Sequence, residues 1–318
     1  MVTFIIRRLI QALFIVFIVS LVVFLVMRLL PGDPVLMYLS QEQVESLTEE
    51  QIEQTKIKFG LDKPLMLQYV DWVNGIFHGD FGKSLFFREE VAELLAKRIT
   101  ITLHLGLIAF VVSNVLGISA GVLSALRRGK WVDLVVTIIA NIGITIPIFW
   151  LGILLIYAFG YKLGWLPIHG YTSPTEDFWL STRQIIMPVI CLAIFVIGAA
   201  ARQTRSSMLE VLHQDYVRTA WAKGLRERTL VAKHVLKNGL IPIVTLMGMH
   251  LGHIIGGAVL IETVFNIPGI GRLSVDAVMS LDYAVVQAVI LITAIMIVLA
   301  NLVVDISYGW LDPRIRYG

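Results

Sequence analysis

Apolar residues in this chain come in long unbroken runs, not at the alternating or three-to-four spacing of the strands and helices of a soluble protein. Six runs are long enough to cross a bilayer core of roughly 30 Å, which takes about 20 residues of α-helix. They are Leu9–Leu30, Ile101–Leu126, Leu134–Tyr157, Ile185–Ala201, Leu240–Phe265 and Val285–Ile306, the fourth being the shortest. The pattern predicts an all-α polytopic membrane protein with six transmembrane helices. Arg7 and Arg8 precede the first run as they would in a secretory signal. That run is longer than the about 7–15 apolar residues of a signal and no small-residue cleavage site follows it, so it is read as an uncleaved span.

Composition agrees. The 318 residues are 57% hydrophobic and 15% charged, where a soluble domain has about 25% charged residues. The net charge of +3 provides no field on the scale that nucleic acid requires, so no nucleic-acid partner is expected. Cys191 is the single cysteine and excludes an intramolecular disulfide or a multi-cysteine metal site.

More than half of the 26 Lys and Arg residues fall at the two ends and in the loops after the second and fourth runs. The short loops 158–184 and 266–284 carry only Lys162, Arg183 and Arg272. The positive-inside rule therefore puts both termini in the cytosol. Segment 31–100 is richer in acidic than in basic residues and contains no complete span, which predicts a partly helical extracytoplasmic subdomain. The organisation expected is residues 1–30 as N-terminus and first span, 31–100 as that subdomain, and 101–318 as a five-span core holding a cytosolic loop, 202–239.

The loop is too long for a minimal hairpin and reads as two short helices. Gln214 and Asp215 offer capping oxygens before Tyr216, and Gly224 suits the left-handed stop after Lys223. The pairs Tyr216/Ala220 and Val217/Trp221, four residues apart, give this helix an apolar side, with Arg218 and Lys223 solvated. A second helix, from about Glu227 to Asn238, has Leu230, Val231, Val235 and Leu236 for packing and Gly239 as its stop. Such a loop can rest on anionic headgroups. It can equally dock a soluble partner through a knob of Tyr216 and Trp221 flanked by alanines.

Residues Thr204–Leu225, followed by Lys233–Pro242, resemble the cytosolic loop of ABC-importer permeases, and within these the "B"-type subunit of the dipeptide/oligopeptide/nickel family. The general pattern of ABC-importer permeases is E-A-A-x-x-x-G-x9-I-x-L-P, from which the peptide-type branch usually departs. Here Ala220 and Gly224 match, Arg218 and Thr219 stand at the Glu and first Ala positions, and the last four read His234-Val-Leu-Lys237. Further fragments resemble the same family: Leu30–Val35, Gly60–Pro64, Gly79–Ser84, Phe265–Arg272 and Leu311–Arg316. In Asp282–Gln287, Ala284 replaces a common proline, which leaves the local rigidity of that loop open. The resemblance implies a type I ABC-importer permease fold and a subunit forming half of an import path for peptides. A second homologous permease subunit, two ATP-binding subunits carrying ATP and Mg, an extracytoplasmic substrate-binding protein and membrane lipid are the implied partners. Asp215, Tyr216, Val217, Arg218, Thr219, Ala220, Trp221, Lys223 and Gly224 would form the coupling helix that meets the ATPase.

No G-x-x-x-x-G-K-[ST] phosphate loop occurs, so ATP hydrolysis belongs to another chain and no catalytic residue or cofactor is expected here. His250 and His253, three apart on one helix side, together with Gly256, are candidates for the substrate path; structural histidines bonded to neighbouring helices are the alternative. No metal site is expected, since the pair lacks the rest of an H-E-x-x-H set. Gly252, Gly256 and Gly257 are expected to permit close helix packing. Pro147 should kink the third span, while Glu262 and Asp305 lie near span ends and are expected to be hydrated. Nickel, metal-chelate or glutathione import stays open as the substrate, and an ion-coupled secondary transporter as a different class.

Overall fold

The computed structural model describes residues 2–29, 62–84 and 86–311. Fragments Leu30–Val35, Gly60–Leu61 and Asp312–Arg316, and the first half of the expected extracytoplasmic subdomain, lie outside the described residues. Among the described residues there is no strand, only an isolated bridge between Lys83 and Glu90. The helices are α1 Val2–Leu29, α2 Leu65–Phe77, α3 Val91–Leu126, α4 Trp131–Thr145, α5 Ile148–Leu155, α6 Phe178–Leu212 and α7 Asp215–Ala222. They continue as α8 Glu227–Leu230, α9 Leu236–Gly239, α10 Ile241–Val264, α11 Ile270–Met279 and α12 Tyr283–Leu311. π-Helical turns prolong α5 over Ile156–Lys162 and join α8 to α9 over Val231–Val235.

Helices α1, α3, α6, α10 and α12 are each long and apolar enough to cross a membrane, and α4 with α5 and its extension supplies the sixth crossing. That third span is broken by 106°, a sharper change than the expected kink. Proline has no N–H and pushes the residue before it out of the α region; Ile146 and Pro147 are accordingly extended, with ψ of 127° at both. The Thr145 hydroxyl donates to the carbonyls of Asn141 and Ile142 just before the break. Beyond it, α5 lies against Val264 and Phe265 at the outer end of α10.

The fourth span is longer than its apolar run. Helix α6 has 35 residues; the Asp177 carboxylate accepts the Leu180 N–H at its start, and it continues well beyond Ala201. The apolar run stops at Arg202, yet Thr204, Ser207 and Met208 beyond it stay buried within the bundle. Exposed Trp131 at the inner end, and exposed Tyr161, Trp165 and Trp179 at the outer end, mark the two interfaces.

At the outer end of the bundle, the first turns of α3 bury Val91, Leu94 and Leu95 with Val23 and Met27 of α1, Leu273 and Ala277 of α11, and Val285 and Val289 of α12. Two carboxylates fasten this outer cluster. Asp282 accepts the Ser84 hydroxyl at 2.6 Å and the Val285 N–H at 3.3 Å, which caps α12 and ties it to the Gly79–Ser84 loop. It fixes the stretch in which Ala284 stands for proline.

Glu262 is the second, and here the expectation of a hydrated side chain is overturned, because it is fully buried. It accepts the Thr102 hydroxyl at 2.6 Å and the Arg272 N–H at 3.0 Å, and Thr102 in turn accepts the Ile270 N–H at 2.9 Å. One carboxylate thus joins α3, α10 and the first turn of α11. Glu262→Gln keeps the shape but turns an acceptor into a donor facing these groups. It is expected to cost about 1–3 kcal/mol, read as a lower unfolding midpoint of the purified protein; an unchanged midpoint would refute the anchor.

Candidate coupling and translocation sites

Helix α7 hangs directly from the inner end of α6. Its stop is a Schellman turn: Gly224 adopts φ +75°, its N–H donates to the Trp221 carbonyl, and the Leu225 N–H donates to the Ala220 carbonyl. Gln214 caps the other end by position only, without a side-chain hydrogen bond. Within the helix the Thr219 hydroxyl bonds back to the Asp215 carbonyl, and Asp215 lies 3.9 Å from Arg218, a loose and exposed pair.

The expected apolar side divides in two. Val217 and Ala220 are buried with Ala125 of α3, Met208 of α6, Leu230 and Val235. They seat the helix and are not part of a surface knob, because positions 217 and 220 are one turn apart on the side facing the bundle. Trp221, 63% exposed, and Tyr216, 43% exposed, face outward with Arg218 and Lys223. A cleft of about 510 Å³ lined by Leu212, Val217, Arg218, Trp221 and Ala222 opens beside them.

The second cytosolic helix runs unbroken over the expected span, from Glu227 to Gly239, as α8, a π-helical turn and α9; Gly239 is not its stop, since Leu240 stays in the α region and leads into α10. Sequence inspection missed Asn238, whose amide donates to the Tyr216 hydroxyl at 3.0 Å and ties the end of this loop to α7.

The two histidines of α10 do not share an environment. His250 is buried, with Nδ1 lacking a hydrogen-bond partner among the described residues. His253 is exposed and stacks on Phe195 of α6, centroids 4.0 Å apart and planes 24° apart. Among the described residues no three His, Cys, Asp or Glu side chains converge. Gly252 and Gly256 also depart from expectation: a Cβ at either meets nothing within 4 Å, so they line open space, while Gly257 alone of the three packs, on Ile148 and Leu192. Met249, Gly252, Gly256 and Leu260 therefore form an open stripe along α10, flanked by the stacked ring of His253.

Close packing lies elsewhere, at Gly117, Gly121, Gly143 and Gly198. A Cβ on Gly121 would lie 2.5 Å from the Ala201 carbonyl, and one on Gly198 2.5 Å from the Ala140 carbonyl. Gly117 and Gly121 form a G-x-x-x-G pair, the sequence signal that could have found them.

The described helices thus form a polytopic bundle with the short helix α7 at its inner end, the build of a membrane-embedded transport subunit. Residues 115–317 match the family of binding-protein-dependent transport system inner membrane components, and residues 1–106 match the N-terminal family of the same membrane components. A probable peptide ABC transporter permease of Sinorhizobium fredii is 40% identical over 314 residues, 99% of each chain. A putative peptide transport system permease of Brucella abortus is 39% identical over the whole of both chains. A glutathione transport system permease of Escherichia coli K12 is 41% identical, also over the whole of both. The permease of the inward-facing MetNI methionine ABC transporter superposes with a TM-score of 0.57 at 19% identity, over 69% of this chain and 96% of that one, and shares the fold.

This chain belongs to the binding-protein-dependent ABC-importer permeases. It is a multi-pass inner-membrane subunit without catalysis of its own, and ATP is hydrolysed by a separate subunit. Membership replaces the ion-coupled carrier considered from sequence.

Proposed function

We propose that the chain forms half of the translocation path of an ATP-driven importer of short peptides. It would pair with a second homologous permease, stand on two ATP-binding subunits that hold ATP and Mg, and receive substrate from an extracytoplasmic binding protein. The observation that carries this reading is α7: a short helix seated by Val217 and Ala220, with Trp221 presented to the cytosol inside a basic rim of Arg218, Lys223 and Arg226. Residues Asp215–Gly224 would be the ATPase contact. Closure of the ATPase dimer would push α7, and the push would travel through α3 and α6, on which it sits.

The names of the relatives from Sinorhizobium fredii and Brucella abortus favour peptides. Glutathione, itself a tripeptide, is the second reading, favoured by the Escherichia coli relative. The proposed path follows the open stripe of α10, with Gly256 on it and His253 beside it, whereas His250 is packed inside the bundle and would not meet substrate. Residues 31–100 would form the extracytoplasmic subdomain, and loop 202–239 the coupling loop of the core.

A photo-cross-linker replacing Trp221 in the reconstituted complex tests the reading. Adducts to the ATP-binding subunit are expected, together with tripeptide uptake that stops when ATP is withheld. Adducts to phospholipid alone, or uptake by this chain on its own driven by an ion gradient, would refute it.

A further inference from the structure

The coupling reading leaves unused the strongest polar contact of the inner half. Asp133, in the first turn of α4, is buried with its side chain 8% exposed. Arg205 of α6 grips it with two bonds, Nε to Oδ1 at 2.7 Å and Nη2 to Oδ2 at 2.9 Å. The Ser124 hydroxyl of α3 donates to Oδ1 at 2.5 Å, and the Gly129 N–H of the α3–α4 turn donates to Oδ2 at 2.9 Å. Three segments thus converge on one carboxylate. A guanidinium fork on a carboxylate fixes orientation as well as distance, which a point charge cannot do.

The place of this clamp matters. Arg205 lies seven residues, about 10 Å, before the end of α6, the helix that carries α7. The cluster that seats α7 takes residues from α3 and α6 and none from α4. Farther out, α4 is held against α6 where Gly143 and Gly198 bring the two backbones together. At its inner end, where a push on α7 enters, α4 is joined through Asp133.

We propose that Asp133 and Arg205 are positioning residues of the transport cycle. They make the inner end of α4 move with α6 and α7, so that displacement of the coupling helix reaches the broken third span. Through α5 it reaches the outer end of α10, where Gly152 packs on Val264 and Phe265. This rests on α7 being the ATPase contact.

The test uses the complete complex in liposomes, with the second permease, both ATP-binding subunits and the binding protein, and reads radiolabelled trialanine imported per ATP hydrolysed. Arg205→Gln and Asp133→Asn are expected to lower that ratio at least tenfold while ATP hydrolysis by the assembled complex persists. Arg205→Lys, which keeps the charge but not the fork, should fall between these and the wild type. A role confined to stability would reduce the amount of complex and leave the ratio unchanged. An unchanged ratio, with or without reduced assembly, therefore overturns the proposal.

Spin labels replacing exposed Trp131 of α4 and exposed Glu210 of α6, both outside the proposed ATPase contact, give a readout independent of the peptide chosen. Their separation should hold within about 2 Å on adding ATP in the wild type and change beyond that in Arg205→Gln. A wild-type separation that already changes by more refutes the clamp. A wild-type complex showing no ATP-driven uptake at all would instead refute the reading of α7.

Discussion

Gly121→Ala is expected to remove most of the assembled complex and to lower uptake at least tenfold, although it adds a single methyl group. The new carbon would sit 2.5 Å from the Ala201 carbonyl oxygen and 2.5 Å from Cβ of Thr204. The first of these is backbone and neither atom can rotate away, so α3 and α6 must separate. Overpacking of this kind costs about 1–3 kcal/mol or more. Here it also pulls Ser124, one turn farther along α3, from Asp133, and lifts Ala125 from the seat of α7. Gly256→Ala on α10 is the control: nothing lies within 4 Å of its Cβ, and assembly should match the wild type. Size-exclusion profiles of the tagged complex with uptake measured in parallel decide it; equal assembly of the two variants would show that α3 and α6 are not locked.

That contrast marks what the sequence could and could not say. The spans were legible because a long apolar run has one physical use, and the basic loops fixed their sidedness. Helix α7 was legible because its stop is chemical: Gly224 takes a conformation that a Cβ resists. Which glycines touch a neighbour was not legible from composition. Gly252, Gly256 and Gly257 cluster in one span and invited a packing reading, yet two of the three face open space. The tight contacts come from glycines spread over three helices. Pairing between helices depends on which faces meet, and a single helix's pattern fixes only its own faces.

The same reason hid the carboxylates. Glu262 stands near a span end, where water is the default partner. Its actual partners come from 160 residues earlier in the chain, at Thr102, and from the following helix. Arg205 follows the fourth apolar run among other basic residues, and nothing in its neighbourhood along the chain singles it out, yet it pairs across 72 positions with Asp133. In α7, spacing grouped Tyr216, Val217, Ala220 and Trp221 correctly as apolar but could not divide them. The division came from Ala125 and Met208, which belong to other helices.

Two substitutions on α7 should abolish uptake by different routes, and together they test that division. Ala220→Asp places a carboxylate among Val217, Met208, Leu230 and Val235 with no cation in that cluster. Burying an unpaired charge costs several kcal/mol, far more than an eight-residue helix can supply from its own hydrogen bonds. Helix α7 should leave its seat, and protease should then cut the 202–239 loop rapidly even in the free permease. Trp221→Ala should leave the seat intact and the loop resistant. What it removes is an exposed aromatic anchor, and such anchors carry about 2 kcal/mol or more at protein interfaces, or roughly thirtyfold in affinity. ATP-binding subunits should therefore fail to co-purify with a permease that is otherwise folded. If Trp221→Ala retains them and imports normally, α7 touches its partner through some other surface. If Ala220→Asp leaves the loop protected, the buried side of the helix has been assigned wrongly.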